Sequence, residues 1–188
     1  MKFPMKIEGK RVFLQHPAKP TFALATELFA AIDASRDTLS KWLPWPKNTK
    51  RPEDEFGALL DWDQKWQEKK SFAYIIRDIK TKKILGMIEF MFADTENKSG
   101  EIGYWLSSKV EGHGYMSEAL KLFEDVIFGQ GFNRILIRND TRNTRSVNVA
   151  ARAGYHLDGV LRQVRWSSEE KCFISLNLWS KLKSDLEA

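Results

Sequence analysis

An α+β fold, built on a mixed but mostly antiparallel sheet of six to seven strands, is what this sequence predicts. Two observations carry the expectation. Three apolar runs, "SFAYIIR", "KILGMIEFMF" and "GEIGYWL", follow one another with only polar turns between them, the pattern of an antiparallel meander. Stretches with apolar residues at helical spacing flank that meander on both sides.

Taken in order, "RVFLQHP" reads as a first strand stopped by Pro17. "TFALATELFAAIDAS" sets Phe22, Ala25, Leu28, Phe29 and Ile32 on one helical face. "KWLPWPKNTK" is a loop, because two prolines forbid a continuous helix. "PEDEFGALLDWDQKWQEK" opens on Pro52 and three acids, which suit a helix start, and Phe56, Leu59, Leu60 and Trp66 form its apolar stripe. After the meander, "SEALKLFEDVIF" spaces Ala119, Leu122, Phe123, Val126 and Ile127 as a helix ended by Gly129 and Gly131. "RILIR" is a short strand and "TRSVNVAARA" a short helix closed by Gly154, where a left-handed cap belongs. "YHLDGVLRQVRW" and "KCFISLNLWSKL" close the chain as a hairpin, with Ile174, Leu176 and Leu178 alternating against Ser175, Asn177 and Trp179. One parallel junction is expected at the glycine-rich corner before residue 115.

With 188 residues, the chain is expected to form one domain spanning 1–188, with ample length for a core. Apolar content of 43% and charged content of 29% match a soluble globule, and no run reaches the roughly 18 apolar residues of a membrane span. "MKFPMKIEGKRVF" has lysines without a continuous apolar stretch and does not read as a secretory signal. Cys172 is the only cysteine, which excludes an internal disulfide framework and a cysteine-built zinc site and makes a reducing cytoplasm the expected compartment. The net charge of +5 favours an acidic partner, but the basic residues are spread along the chain, so nucleic-acid binding is the minor reading. His16 and His156 lack neighbours that suggest a metal, Cys172 reads as core filling, and Asp61 and Asp63 read as solvated helix flank.

The most informative stretch is "KVEGHGYMSEAL". Gly112 and Gly114 flank His113 between a strand and a helix. A Walker loop needs Gly-Lys-Ser/Thr after its glycines, and Tyr115 follows Gly114 instead. A dinucleotide fingerprint needs a third glycine where Ser117 stands. A tight turn is one reading. The other is an anion held on free helix N–H groups, with the missing Cβ atoms opening its approach. A pyrophosphate without bound metal fits that description. "NTRSVNVAARAGY" follows the next strand, with Asn143 and Ser146 at a helix start, where capping is their commonest role.

The order strand, "EGHG", helix, strand, "NTRS", helix, "AGY" resembles the GNAT superfamily of acyl-CoA-dependent N-acetyltransferases, over nearly the whole chain. The superfamily's phosphate loop, Gln/Arg-x-x-Gly-x-Gly/Ala, is met here by Glu111, Gly114 and Met116, so two of three positions depart and the central glycine is kept. "SKWLPWP", "GEIGYWL", "GHGYMSEAL", "NTRSVNVAARAGYHLDGVLRQ" and "LNLWSKL" are most similar to the RimL-type ribosomal-protein serine acetyltransferases. The resemblance implies helices on both faces of the sheet and direct transfer of acetyl from acetyl-CoA to a primary amine, without a metal. It places the cofactor on Trp105, Leu106, Val110, Gly112, His113, Gly114, Tyr115, Met116, Ser117, Asn143 and Ser146. The pantetheine arm would run beside Trp105 and Leu106 as an added strand, with the Leu106 N–H on the thioester carbonyl and Asn143 on the arm.

Ser146 is the expected general acid, near the sulfur. Many superfamily members carry a tyrosine four residues before the Gly-aromatic pair, and here that position is Ala150. Glu101 is the expected base: it shares a strand face with Trp105, and partial burial there would raise its pKa. The bland alternative is a strand-edge glutamate in an ion pair. Glu89 is the second choice, in the cavity or facing solvent. RimL-type chains can carry an acid shortly after "LxQ"; here Arg165 stands there, and a guanidinium is no base. Trp42 and Trp45 line the acceptor groove or cover core. The acceptor is expected to be a protein N-terminus, possibly of an acidic ribosomal protein, with the chain a monomer or homodimer. The alternatives are a small amine (polyamine, aminoglycoside or aminoacyl nucleotide) and a non-catalytic acyl-CoA sensor.

Overall fold

The structure, a computed structural model, describes residues 1–186. Eight strands form one sheet: β1 (Lys6–Glu8), β2 (Val12–Gln15), β3 (Phe72–Asp78), β4 (Ile84–Asp94), β5 (Ser99–Leu106), β6 (Arg134–Asp140), β7 (His156–Ser167) and β8 (Cys172–Leu182), in the order β1-β2-β3-β4-β5-β6-β8-β7. The strand count thus exceeds the six to seven expected. The additional β1 has only three residues, too short to show a period. Every neighbouring pair is antiparallel except β5 and β6, whose crossover passes through the glycine corner and a helix, as the sequence led us to expect.

Five helices cover the sheet: α1 (Phe22–Asp33), α2 (Arg36–Ser40), α3 (Pro52–Gln67), α4 (Tyr115–Gly129) and α5 (Thr144–Arg152). Local chemistry sets their ends. The Thr21 Oγ1 accepts the Leu24 N–H at 3.2 Å, and Pro52 starts α3 where the missing N–H costs nothing. The Asp54 carboxylate accepts the N–H groups of Lys50 and Arg51 at 2.9 and 3.2 Å. Gly154, at φ +79°, closes α5 in the left-handed region.

One sheet face buries Leu120, Phe123 and Ile127 of α4 against Tyr74, Phe90 and Ile102. The other buries Leu28, Ile32 and Leu59 of α1 and α3 against Ile75, Met87 and Trp105. So helices lie on both faces. The period-2 reading of "ISLNLW" needs correction. Asn177 and Trp179 are as buried as Ile174 and Leu176, because β8 lies between β6 and β7 with its second face in the α4–α5 core. Cys172 fills no core; it begins β8 exposed. Leu60, counted in the α3 stripe, is exposed too.

A splay in the sheet positions the site. β5 and β6 pair only from Ser99 to Glu101. Beyond that, β5 stays with β4 as far as Leu106 and β6 stays with β8 as far as Asp140, so the two strands part. Gly86 allows β4 and β5 to remain close, since a Cβ there would lie 2.1 Å from the Trp105 carbonyl oxygen.

Candidate active site

A cavity of ≈ 1090 Å³ fills the gap between the parted strands and continues under α1, α2 and α3. Its β5 wall has free backbone groups. The Ser107 N–H donates to the Leu85 carbonyl at 2.7 Å, so alternation turns the Leu106 N–H the other way, into the gap.

The glycine corner forms one mouth. Gly112 and Gly114 have φ of +80° and +78°, values that glycine alone adopts freely. Gly114 is the N-cap of α4, and no side chain caps that helix, so the first-turn N–H groups are left for an outside acceptor. Arg11 fixes the corner from behind, donating to the carbonyls of His113 and Gly114 at 2.8 and 3.1 Å and to Glu118 Oε2 at 2.8 Å. Gly112, His113, Gly114, Met116 and Ser117 line the cavity, while Val110 and Tyr115 pack against the core beneath. Glu111 pairs with Arg145, which neutralises the acid that interrupts the basic pattern of such turns.

Ser146 also lines the cavity. Asn143 Oδ1 accepts the Ser146 N–H at 3.2 Å, the helix cap, and leaves the Asn143 amide nitrogen unused by it. The Ser146 Oγ accepts from Asn139 Nδ2 at 3.2 Å and lies 3.0 Å from the Tyr104 hydroxyl. Asn139 Oδ1 in turn accepts from Asn177 Nδ2 and Trp179 Nε1 at 3.1 and 3.3 Å. Burial pushes the Tyr104 hydroxyl up to about 12, against the Ser146 bond, so at neutral pH it is a proton donor. Sequence reasoning missed Tyr104 and Asn139. The inward parity of Tyr104 in "GEIGYWL" was the available signal.

Tryptophans and acids line the same cavity. Trp42 and Trp45 both line it, and Trp45 meets Trp105 at 6.0 Å between ring centroids. Glu101 shares the face of Trp105, as expected, but it is not an isolated carboxylate: Arg138 bonds its Oε2 at 2.7 and 2.8 Å. The ion pair of the bland reading is thus present, made by an arginine. Glu89 faces the cavity rather than solvent. Burial pushes its carboxyl up, against a hydrogen bond from the Ser71 Oγ at 2.5 Å. Arg165 lines the cavity and donates to the Trp42 carbonyl at 3.2 Å. Asp61 is exposed on the helix flank as expected, although it also borders the cavity, whereas Asp63 is half-buried and bonds His16 at 3.3 Å.

Glu55 was read only as a helix-start acid. It lines the cavity, is 2% exposed, and its Oε1 has no hydrogen-bond partner among the described residues; burial pushes its carboxyl up to about 7. The residue spacing of Glu55, Leu59, Trp62 and Trp66 places it on the buried stripe of α3. Among the described residues, no group of three His, Cys, Asp or Glu side chains is arranged to hold a metal, and no helix is long and apolar enough to cross a membrane.

The family model described as "Acetyltransferase (GNAT) domain" matches residues 13–156. The ribosomal-protein-serine acetyltransferase of Escherichia coli (strain K12) is 26% identical over 82% of this chain and 85% of its own. Among solved structures, the microcin C7 self-immunity acetyltransferase MccE in complex with acetyl-CoA and AMP superposes with a TM-score of 0.85, at 24% identity over 93% of both chains. The RimL ribosomal L7/L12 alpha-N-protein acetyltransferase in complex with coenzyme A gives 0.84, at 20% identity over 95% of this chain and 96% of that one. At these identities the two structures speak to the fold.

Proposed function

Since the chain belongs to the GNAT acetyltransferase family, we propose that it transfers acetyl from acetyl-CoA to the N-terminal amine of a protein, of the ribosomal-protein serine type. It is an acetyl-CoA-dependent N-acetyltransferase; the acceptor, and action as a single domain over residues 1–188 in the cytoplasm, are our reading. The observation that carries the reading is the gap between β5 and β6, which joins an uncapped helix start at one end to a tryptophan-lined, acidic compartment at the other.

The residues present fit the donor. The open backbone at Gly112 and Gly114 and the first-turn N–H groups through Ser117 suit a pyrophosphate without a metal. Acetyl-CoA supplies an activated acetyl thioester. Trp105 and Leu106 hold the arm along β5, and the Leu106 N–H donates where negative charge develops on the acetyl oxygen. Asn143 holds the arm from the α5 side. Ser146, with Tyr104 behind it, delivers a proton to the departing sulfur. Trp42, Trp45 and Glu89 shape the acceptor compartment. Glu101, engaged by Arg138, is less free to take the acceptor's proton than its strand position implied.

The resemblance to ribosomal-protein-serine acetyltransferases over four fifths of the chain supports a protein acceptor. A small amine bearing an anionic group is the second reading. It is favoured by Arg165 at the cavity wall and by the AMP in the MccE complex. The test uses acetyl-CoA labelled on the acetyl group, incubated with enzyme and host lysate, which is then split into macromolecular and small-molecule fractions. Label at the N-terminus of one protein band supports the first reading. Label confined to small molecules replaces it with the second.

A further inference from the structure

Among the described residues, six carboxylates line the cavity, and five of them are already engaged. Asp61 pairs with Lys65, Glu101 with Arg138, Glu111 with Arg145 and Asp140 with Arg142, while Glu89 accepts from the Ser71 hydroxyl. Glu55 is the sixth, and its buried Oε1 has no partner among the described residues. A buried carboxylate oxygen without a donor is costly, and such an atom persists where a ligand completes it. The group that would complete it is a cation with N–H donors.

We propose that Glu55 is that ligand's proton acceptor: it receives the acceptor's ammonium in the compartment under Trp45 and takes one proton from it. The inference rests on the acetyltransferase reading above. The bookkeeping of protons closes. The ammonium gives one proton to the Glu55 carboxylate and becomes a free amine. The amine nitrogen forms the bond to the acetyl carbon as the carbon–sulfur bond breaks. Its second proton passes to the Ser146 Oγ as that hydroxyl gives its own proton to the sulfur, and Glu55 returns its proton to solvent after product leaves.

The surroundings suit this exchange. Burial brings the Glu55 carboxyl up to about 7, nearer to an α-amino group, whose ordinary pKa is about 8, than an ordinary carboxyl lies. Among the described residues, the other titratable groups facing the cavity are the five engaged acids together with Tyr104, His113, Arg138, Arg145, Arg152 and Arg165, which come from β5, the glycine corner, β6, α5 and β7. The parts of α1, α2 and the tryptophan loop that line the compartment contribute no titratable side chain. None of these groups supplies Glu55 with a counter-ion, and burial alone moves its carboxyl.

The test compares wild type, E55Q and E101Q by kcat/KM from about pH 5.5 to about pH 9, on whichever acceptor wild type uses best in a panel of a serine-initiated acidic peptide and small amines. The expected wild-type profile rises through an acid limb near pH 7. E55Q should lose about 100-fold at neutral pH and lose the limb, while acetyl-CoA binding, followed by tryptophan fluorescence, is retained. E101Q should keep the limb. Difference infrared spectra should show a carboxyl that titrates near neutral pH in wild type and not in E55Q. An E55Q enzyme that keeps both rate and limb overturns the inference. A change of preferred acceptor revises only the protein-acceptor reading.

Discussion

The Tyr104 hydroxyl lies 3.0 Å from the Ser146 Oγ, and among the described residues it is the one proton donor bonded to that oxygen besides the Asn139 amide. Asn143 caps α5 through the Ser146 backbone N–H, so removing the Ser146 side chain leaves the cap intact. S146A is therefore expected to lower kcat about 100-fold and Y104F about tenfold, with acetyl-CoA affinity little changed. Thermal unfolding of S146A should match wild type. A large drop in its melting temperature would show the hydroxyl to be structural.

The glycine corner offers a sharper contrast between two similar residues. Both have left-handed φ, but a Cβ at Gly112 meets nothing within 4 Å, while one at Gly114 comes 3.3 Å from Arg11 Nη2. G112A then costs backbone strain alone, about 1 to 2 kcal/mol. G114A adds a push on Arg11, the residue that fixes the corner, and stands at the N-cap whose N–H groups face the donor's phosphates. G114A should raise KM for acetyl-CoA about tenfold and G112A less, since each 1.4 kcal/mol is a factor of ten. Equal effects would remove Arg11 from the account.

The strands and long helices were legible because their periods are long enough to count. The meander, the crossover at "EGHG" and the helix closed by Gly154 are all where the residue pattern puts them. β1 and α2 were not legible, since three and five residues hold barely more than one period, too little to show a repeat. Glu101 was found by strand parity, yet its partner Arg138 comes from a different strand, and only the parallel β5–β6 junction brings the two together. Glu55 was hidden by a local rule. Three acids at a helix start read as partners for the helix dipole, and Asp54 does serve that end. Glu55 turns inward because α3 buries the stripe of Leu59 and Trp66.

A buried ion pair ties the helix behind the site to the sheet. Lys181 Nζ reaches Glu124 Oε2 at 2.8 Å and the Ala153 carbonyl at 2.7 Å, with both side chains nearly sealed from water. Ala153 is the C-cap of α5, so Lys181 holds the far end of the helix that begins beside Ser146. K181M strands a buried carboxylate and should destabilise the protein by about 3 to 5 kcal/mol. The double variant K181M/E124L should recover most of that loss. Denaturant melts of the three proteins decide it; no recovery in the double variant would mean that the Ala153 bond, not the ion pair, is what matters.

Glu55 also makes stability depend on pH, in a direction opposite to that of an ordinary paired acid. Its carboxyl is raised from 4.5 to about 7, so between those values the folded chain holds a proton that the unfolded chain has lost. Stability therefore falls as pH rises across that window, is unaffected by Glu55 below it, and carries the whole penalty above it. The shift of about 2.5 units corresponds to roughly 3 kcal/mol. E55Q has no such charge to bury. Its melting temperature should be close to that of wild type at about pH 4.5 and higher by about 6 to 12 °C at about pH 8. Glu124, whose carboxyl burial also pushes up against the Lys181 bond, is present in both proteins and cancels in the difference. Parallel melting curves at both pH values would mean that the Glu55 carboxylate finds water or a cation in the folded protein, and that its burial costs little.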